Sequence, residues 1–141
     1  MARTASAVWH GTLKEGKGSI SVGSGLFRDA QYSFSSRFEE GTGTNPEELL
    51  AAAHAGCFTM ALSLVLQNEG LVADSLETTC TISLNKEGEG FSITHSHLAL
   101  RAKIPGASQE AFIRATNTAK ENCPVSKLYD TEITLDAQLE P

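Results

Sequence analysis

The side chains of this sequence that are best suited to chemistry are three thiols, those of Cys57, Cys80 and Cys123. Three cysteines cannot all pair within one chain, and residues 1–10 lack the apolar core of a secretory signal peptide. We therefore expect a reducing cytoplasm, in which each thiol is free, catalytic, metal-bound or packed. Cys80 fits the packed role best, because it lies on the apolar face of a strand pattern. Whether Cys57 and Cys123 meet stays open, because they are far apart in sequence.

The common catalytic motifs are absent: the sequence has no CxxC, HExxH, GxGxxG, P-loop or GxSxG. His54 lies three residues before Cys57. The two side chains could form a Cys/His hydrolase site or, with another cysteine, a zinc site. We favour a packed histidine, because no close second ligand pair exists. His95 and His97 share one strand face and could chelate a metal, but a solvated strand face is the favoured interpretation.

Length and composition predict an ordinary globular protein. The chain has 141 residues, and domains cluster at roughly 100–150 residues, so we expect one domain over residues 1–141. Apolar residues make up 40% and charged residues 20%, which argues against disorder. The net charge is −6 without a basic cluster, so nucleic acid is not an expected partner.

The segment at residues 44–48 predicts the start of a long helix. Asn45 suits the N-cap and Pro46 the first helical position. Glu48 is expected to reach back with its carboxylate to the N–H of the cap residue. The helix is expected to end near Asn68, where Gly70 can adopt a left-handed conformation.

Residues 49–67 of this helix contain no charged side chain, and the run reaches the lower limit for spanning a bilayer. We favour a buried helix, because the run is rich in small and hydroxyl residues and has no Lys or Arg anchor at either end. A band about 100° wide is expected to face the core and to bury the Cys57 thiol. This band comprises Leu50, Ala53, Cys57, Met60, Ala61 and Leu64. A chain of this size would struggle to cover the helix alone, so we expect a homodimer that shares the cover.

Alternating patterns and turn residues predict the remaining elements. Strands are expected at residues 8–13, 19–22, 31–38, 76–84, 91–103 and 133–139. In the third of these, Arg37 is expected to point away from the face that carries Tyr32 and Phe34. Ser108 is expected to cap a second helix, and Pro124 to end it. The order βββ-α-ββ-α-β predicts an α+β fold, with antiparallel sheets around a long central apolar helix.

Four blocks of residues, spread over nearly the whole chain, carry a family resemblance: AVWHGTLKEGKGSISVGSG, YSFSSRFEEGTGTNPEELLAAAHAGCFTMALSL, NCPVSK and EITLDAQL. With them the chain resembles the osmotically inducible protein C and organic hydroperoxide resistance (OsmC/Ohr) family. The joint occurrence of GTNPEELLAAAHAGCF and a distant CPVS is the specific signal. The stretch SSRFEEGTGTNPEEL is similar to the osmotically inducible branch, whose active-site arginine precedes the long helix. The other branch places its arginine near the N-terminus, where this chain has only Lys14 and Lys17.

The resemblance implies an intertwined homodimer with two active sites at the subunit interface and a cofactor-free, cysteine-based peroxidase activity. Cys57 resembles the cysteine that attacks the peroxide, and Cys123 resembles its resolving partner. Arg37 resembles the arginine that faces the reactive sulfur, and Glu47 resembles the carboxylate that orients this arginine. In such chemistry the first thiol becomes a sulfenic acid, and the second condenses with it to a disulfide. An external dithiol, such as a lipoylated protein, is the implied reductant.

The apolar helix face around Cys57 favours organic hydroperoxides over hydrogen peroxide, because each buried methylene contributes ~0.8 kcal/mol to binding. A second hypothesis retains the fold without the activity. In it the chain is a small-molecule-binding or stress-related dimer, and Cys57 is an ordinary core residue. Formation of a Cys57–Cys123 disulfide after exposure to a hydroperoxide distinguishes the two hypotheses.

Overall fold

The structure, a computed structural model, describes residues 1–141, which divide into two compact units, Met1–Leu49 and Leu50–Pro141. The first unit contains β1 (Ala5–His10), β2 (Lys17–Val22), β3 (Ala30–Tyr32) and α1 (Phe34–Phe38). Helix α2 (Pro46–Asn68) begins in the first unit and continues in the second. The second unit also contains β4 (Ser75–Glu87), β5 (Gly90–Lys103), α3 (Gln109–Asn122), α4 (Pro124–Leu128) and β6 (Glu132–Glu140). The expectation of a single domain over residues 1–141 stays a prediction.

Each unit has its own three-stranded sheet. In the first unit, β1, β2 and β3 are antiparallel neighbours in that order. In the second, β4 is antiparallel to β5, whereas β6 is parallel to β5. The predicted α+β fold is confirmed, but the expectation of purely antiparallel sheets is wrong for β6. A parallel neighbour requires a long crossover, and residues 104–131, which include α3 and α4, provide it.

Helix α1 occupies residues that were expected to continue a strand. The Ser33 hydroxyl accepts a hydrogen bond from the Ser36 N–H at 3.1 Å, and the Ser36 hydroxyl accepts one from the Ser33 N–H at 2.8 Å. This reciprocal capping box stabilises a helical turn where strand alternation alone predicted extended backbone. Arg37 therefore lies on a helix, and the prediction of its strand face is wrong.

The predicted ends of α2 are largely confirmed. Pro46 is the first helical residue, and the Asn45 side chain accepts a hydrogen bond from the Glu48 N–H at 2.8 Å. The Glu48 carboxylate, however, accepts from the Thr44 hydroxyl at 2.7 Å instead of reaching the cap N–H. The helix ends at Asn68, and Gly70 has a φ of +75°, the left-handed conformation expected there.

The buried face of α2 differs from the predicted band. The stripe that the structure buries comprises His54, Phe58, Leu62 and Leu66. Met60 and Leu64 are 77% and 57% exposed within the chain. Because α2 is apolar on all sides, its sequence carries no periodic signal for the buried face. By length and composition it is the one helix that could span a membrane, and 22% of its apolar window is buried within the chain.

The core of the second unit joins α2, β5 and α3. Phe112, Ala115 and Ala119 of α3 are fully buried in one cluster with Leu98 and Leu100 of β5. The predicted cap of α3 is also confirmed, because the Ser108 hydroxyl accepts from the Ala111 N–H at 3.1 Å.

Candidate functional site

Two sulfur atoms lie at the short helix α4. Because Pro124 starts α4, Cys123 ends one helix and caps the next. The Ser126 N–H donates to Cys123 Sγ at 3.4 Å, and the Val125 N–H donates to Cys57 Sγ at 3.5 Å. Consecutive backbone N–H groups of α4 therefore bind the two sulfurs. The structure thus brings together two cysteines whose meeting the sequence left open, and both thiols are free.

The surroundings of Cys57 favour its protonated form. Burial raises the pKa of the Cys57 thiol, because a thiolate loses hydration there. The Val125 N–H lowers the pKa by stabilising the thiolate, while Cys123 raises it through a hydrogen bond and like charge. The raising effects prevail, so Cys57 rests as a neutral thiol at pH 7.

Cys80 lies near the same pair. Its sulfur contacts the Ser96 hydroxyl at 3.4 Å, and the side chain packs against the core as predicted. Burial raises the pKa of the Cys80 thiol, and the Ser96 hydrogen bond partly offsets this.

The pKa of Tyr129 is raised by burial and by the charges of Cys80, Cys123 and Cys57. All three thiols therefore lie within electrostatic range of one phenol.

His54 is fully buried, which confirms its predicted packed role. Its Nδ1 lies 2.6 Å from the Ser96 hydroxyl, and its Nε2 lies 2.8 Å from the Ser126 hydroxyl. The Tyr129 ring meets the imidazole edge-on, with centroids 5.0 Å apart. Burial lowers the pKa of His54, so the imidazole is neutral at pH 7. The two serine partners of His54 were not predicted from the sequence. One of them, Ser126, lies in the CPVS segment that carries part of the family resemblance.

A pair of histidines, His95 and His97, lies on β5. The rings of His95 and His97 have centroids 5.9 Å apart, and both contact the Thr134 hydroxyl of β6. Both residues are half-buried. The favoured prediction of a solvated strand face is therefore only partly right, because a hydroxyl of the neighbouring strand binds both imidazoles.

Arg37 and Glu47 form an ion pair in the first unit. The Arg37 Nε and Nη2 donate to Glu47 Oε1 at 3.0 and 2.9 Å. The Arg37 side chain is 39% exposed, whereas that of Glu47 is 10% exposed. The other carboxylate oxygen, Oε2, is buried without a hydrogen-bond partner, an arrangement that typically costs ~1–3 kcal/mol. The contact between these two residues that the resemblance implied is present, with α1 supplying the arginine.

A pocket of about 260 Å³ lies beside Arg37. Its lining is mainly aromatic and comprises Trp9, Leu13, Tyr32, Ser33, Phe34, Arg37 and Phe38. The Arg37 guanidinium lies over the Phe38 ring, 5.2 Å from its centroid. The first unit thus places a cation at the edge of an apolar cavity, which suits a small ligand with a polar end and an apolar body.

A comparison with family sequence models decides the family. The model described as OsmC-like protein matches residues 39–138. The chain belongs to the OsmC family. Within this OsmC family, the chain is 47% identical over 133 residues to the Escherichia coli (strain K12) protein named Peroxiredoxin OsmC, covering 94% of this chain and 93% of that protein. It is 36% identical over 95 residues to Organic hydroperoxide resistance protein-like 1 of Staphylococcus saprophyticus, covering 67% of each.

Solved structures of OsmC-family proteins share the fold. The organic hydroperoxide resistance protein OhrB of Bacillus subtilis matches with a TM-score of 0.68 at 28% identity, covering 97% of this chain and 98% of that one. An OsmC-like protein of unknown function from Vibrio cholerae matches with a TM-score of 0.77 at 18% identity, covering 97% and 99%. The second match supports the fold alone.

Proposed function

We propose that this OsmC-family chain is a thiol-dependent peroxidase that reduces organic hydroperoxides in oxidative and osmotic stress defence. Cys57 loses its thiol proton and the thiolate attacks the distal peroxide oxygen; the O–O bond breaks, the departing alkoxide takes up a proton and leaves as an alcohol, and Cys57 becomes a sulfenic acid. The Cys123 thiol then attacks this sulfur, forms the disulfide and releases water. An external dithiol, for which a lipoylated protein is our candidate, reduces the disulfide.

The observation that carries the proposal is the placement of the Cys57 and Cys123 sulfurs on the neighbouring N–H groups of Val125 and Ser126 in α4. A sulfenic acid needs a second thiol close by to be converted to a disulfide before it is oxidised further. The relatives named as a peroxiredoxin and as organic hydroperoxide resistance proteins support the same chemistry.

Arg37 is assigned to the peroxide, and Glu47 is assigned to orienting Arg37. Glu47 Oε1 accepts from two guanidinium nitrogens, which fixes the plane of the guanidinium and leaves Nη1 for a ligand. A guanidinium fixed in this way is suited to stabilising the negative charge that develops on oxygen as the O–O bond breaks.

The substrate class follows from the apolar pocket beside Arg37. Its aromatic walls offer nothing to hydrogen peroxide, whereas each buried methylene of an alkyl hydroperoxide gains ~0.8 kcal/mol, close to fourfold in affinity. We expect a higher kcat/KM for cumene or tert-butyl hydroperoxide than for hydrogen peroxide. A clear preference for hydrogen peroxide would contradict this assignment.

The assembly belongs to the proposal as well. The active protein is a homodimer of single-domain subunits over residues 1–141, located in the cytoplasm. The exposed apolar side of α2, which includes Met60 and Leu64, is the surface that a second copy covers. A buried acceptor such as Glu47 Oε2, left without a donor within the chain, also fits a site that is completed on assembly or by substrate.

The proposed function is tested by following the consumption of cumene hydroperoxide with a dithiol reductant in excess. We expect turnover by the wild type and none by Cys57→Ser, and, before the dithiol is added, a sulfenic acid without an intramolecular Cys57–Cys123 disulfide in Cys123→Ser. Thr116→Val, which removes a buried hydroxyl from α3, is the control and retains turnover. Equal, slow consumption by the wild type and Cys57→Ser would instead support the non-enzymatic dimer.

A further inference from the structure

A chain of three polar side chains connects two cysteines inside the second unit. Cys123 Sγ lies 3.2 Å from Ser126 Oγ, which lies 2.8 Å from His54 Nε2. On the other side of the ring, His54 Nδ1 lies 2.6 Å from Ser96 Oγ, which lies 3.4 Å from Cys80 Sγ. We call this series the His54 chain.

Four of the five members of the His54 chain are buried. His54, Ser96 and Cys123 are 0% exposed and Ser126 is 6% exposed. A buried imidazole is costly unless both nitrogens are hydrogen-bonded, and here both are. A neutral imidazole donates from one nitrogen and accepts at the other. With its proton on Nδ1, it donates to Ser96 and accepts from the Ser126 hydroxyl, whose oxygen is then available to the Cys123 S–H.

We propose that Ser126 and His54 take up the proton of the Cys123 thiol when that thiol condenses with the sulfenic acid on Cys57. Ser126 contacts the reacting sulfur directly and is the catalytic residue of this step. His54 acts through Ser126 and is a positioning residue, and Ser96 contacts its other ring nitrogen. This inference rests on the proposed function and specifies its second step.

The step balances in atoms and charge. The Cys123 proton passes to Ser126 Oγ as the Ser126 proton passes to His54 Nε2, which gives a thiolate and an imidazolium. The thiolate attacks Cys57 Sγ, the S–S bond forms, and the S–O bond of the sulfenic acid breaks. The imidazolium returns its proton through Ser126 to the departing hydroxide, which leaves as water. The serine hydroxyl and the Ser126 N–H, 3.4 Å from Cys123 Sγ, both stabilise the transient thiolate.

The surroundings of His54 suit a transient base. The Tyr129 ring contacts the imidazole directly, and the Cys123 and Cys80 thiols lie beyond the two serines that bind its nitrogens. Burial lowers the pKa of His54 below its usual ~6.5. The imidazole is therefore free to accept a proton at neutral pH and releases it readily. Acidification protonates it, so the condensation rate is expected to fall along an acid limb with a midpoint below pH ~6.5.

The test separates the two steps in a single turnover. Reduced protein receives one equivalent of cumene hydroperoxide, and quenched samples are analysed by mass spectrometry for trapped Cys57 sulfenic acid and for the disulfide. Ser126→Ala keeps the backbone N–H on Cys123 and removes only the hydroxyl. His54→Gln keeps a hydrogen-bonding side chain but cannot hold the proton. Thr116→Val is the matched control for loss of a buried hydroxyl.

We expect Cys57 oxidation within about twofold of wild type in both variants, and disulfide formation at least ~10-fold slower, with loss of the acid limb in His54→Gln. Disulfide formation at the wild-type rate in a folded Ser126→Ala protein would overturn the proposal, as would an equal slowing in Thr116→Val. If His54→Gln does not fold, Ser126→Ala decides alone. If wild-type Cys57 is not oxidised at all, the proposed function fails and this inference with it.

Discussion

Two effects could accelerate the attack of Cys57 on a peroxide: ionisation of its thiol, and placement of the peroxide by Arg37. At pH 7.4 a thiol of pKa ~8.5 is about 7% ionised, so full ionisation increases the thiolate at most ~14-fold. Lowering the pKa by ~3 units costs about 16- to 30-fold in nucleophilicity, if the dependence known for disulfide exchange applies. Ionisation alone is therefore a poor catalyst, and the raised pKa of Cys57 agrees with this. Placement of the peroxide by Arg37 is the stronger candidate.

Replacing Arg37 by lysine tests this placement. An ammonium cannot bind Glu47 Oε1 through two nitrogens and still present a third donor in the same plane. We expect Arg37→Lys to lower kcat/KM for cumene hydroperoxide at least ~10-fold. Arg101→Lys is the matched control, because Arg101 binds Glu140 Oε1 through the same two nitrogens. Near-normal turnover by Arg37→Lys contradicts the role given to the guanidinium.

The raised pKa of Cys57 makes a second prediction. Because the thiolate is the reactive form, alkylation of Cys57 by iodoacetamide should accelerate with pH, with a midpoint on the alkaline side of an ordinary cysteine at ~8.5. Cys123→Ala removes a neighbour that raises the pKa of Cys57, so its midpoint should move to lower pH. A wild-type midpoint well below pH 8 would show that burial does not control this thiol.

Helix starts could be predicted from the sequence where a nearby side chain caps the backbone. Asn45, Pro46 and Ser108 predicted helix starts correctly, because capping bonds form between near neighbours. The same capping bonds between Ser33 and Ser36 were not predicted, because the alternating residues around these two serines are typical of a strand. The buried face of α2 could not be predicted, because its sequence is apolar on every side and only packing selects the face.

Asn45 joins two elements, so its removal should be costly. Its side chain accepts from the Glu48 N–H and donates to the Ser36 carbonyl oxygen at 3.0 Å. We expect Asn45→Ala to lower the free energy of unfolding by about 1–2 kcal/mol, measured by urea denaturation. Asn117→Ala, which loses only a bond to its own exposed helix, should change it by less than ~0.5 kcal/mol. Equal effects of the two variants contradict a capping role.

The exposed apolar side of α2 favours association with a second copy of the chain. A soluble monomer rarely presents residues such as Met60 and Leu64 together on a long apolar helix. The sequence predicted a shared cover from apolarity alone, although it placed these two residues in the same apolar band as Cys57. In the proposed homodimer, a second copy supplies this cover.

Sedimentation at micromolar concentration tests this cover. We expect the dimer mass for the wild type and for Met60→Leu, which keeps an apolar side chain. Met60→Glu places a charge on the covered face and should yield the monomer mass. A wild type that sediments only as a monomer contradicts the proposed assembly.

The most direct measurement is the mass of the reduced wild-type protein after one equivalent of cumene hydroperoxide. The placement of the Cys57 and Cys123 sulfurs on neighbouring N–H groups of α4 predicts the loss of two hydrogens and a peptide pair joined by a disulfide between these residues. Cys80 is expected to remain a thiol. Three unchanged thiols, or a disulfide that includes Cys80 in place of either partner, would contradict the proposed reaction.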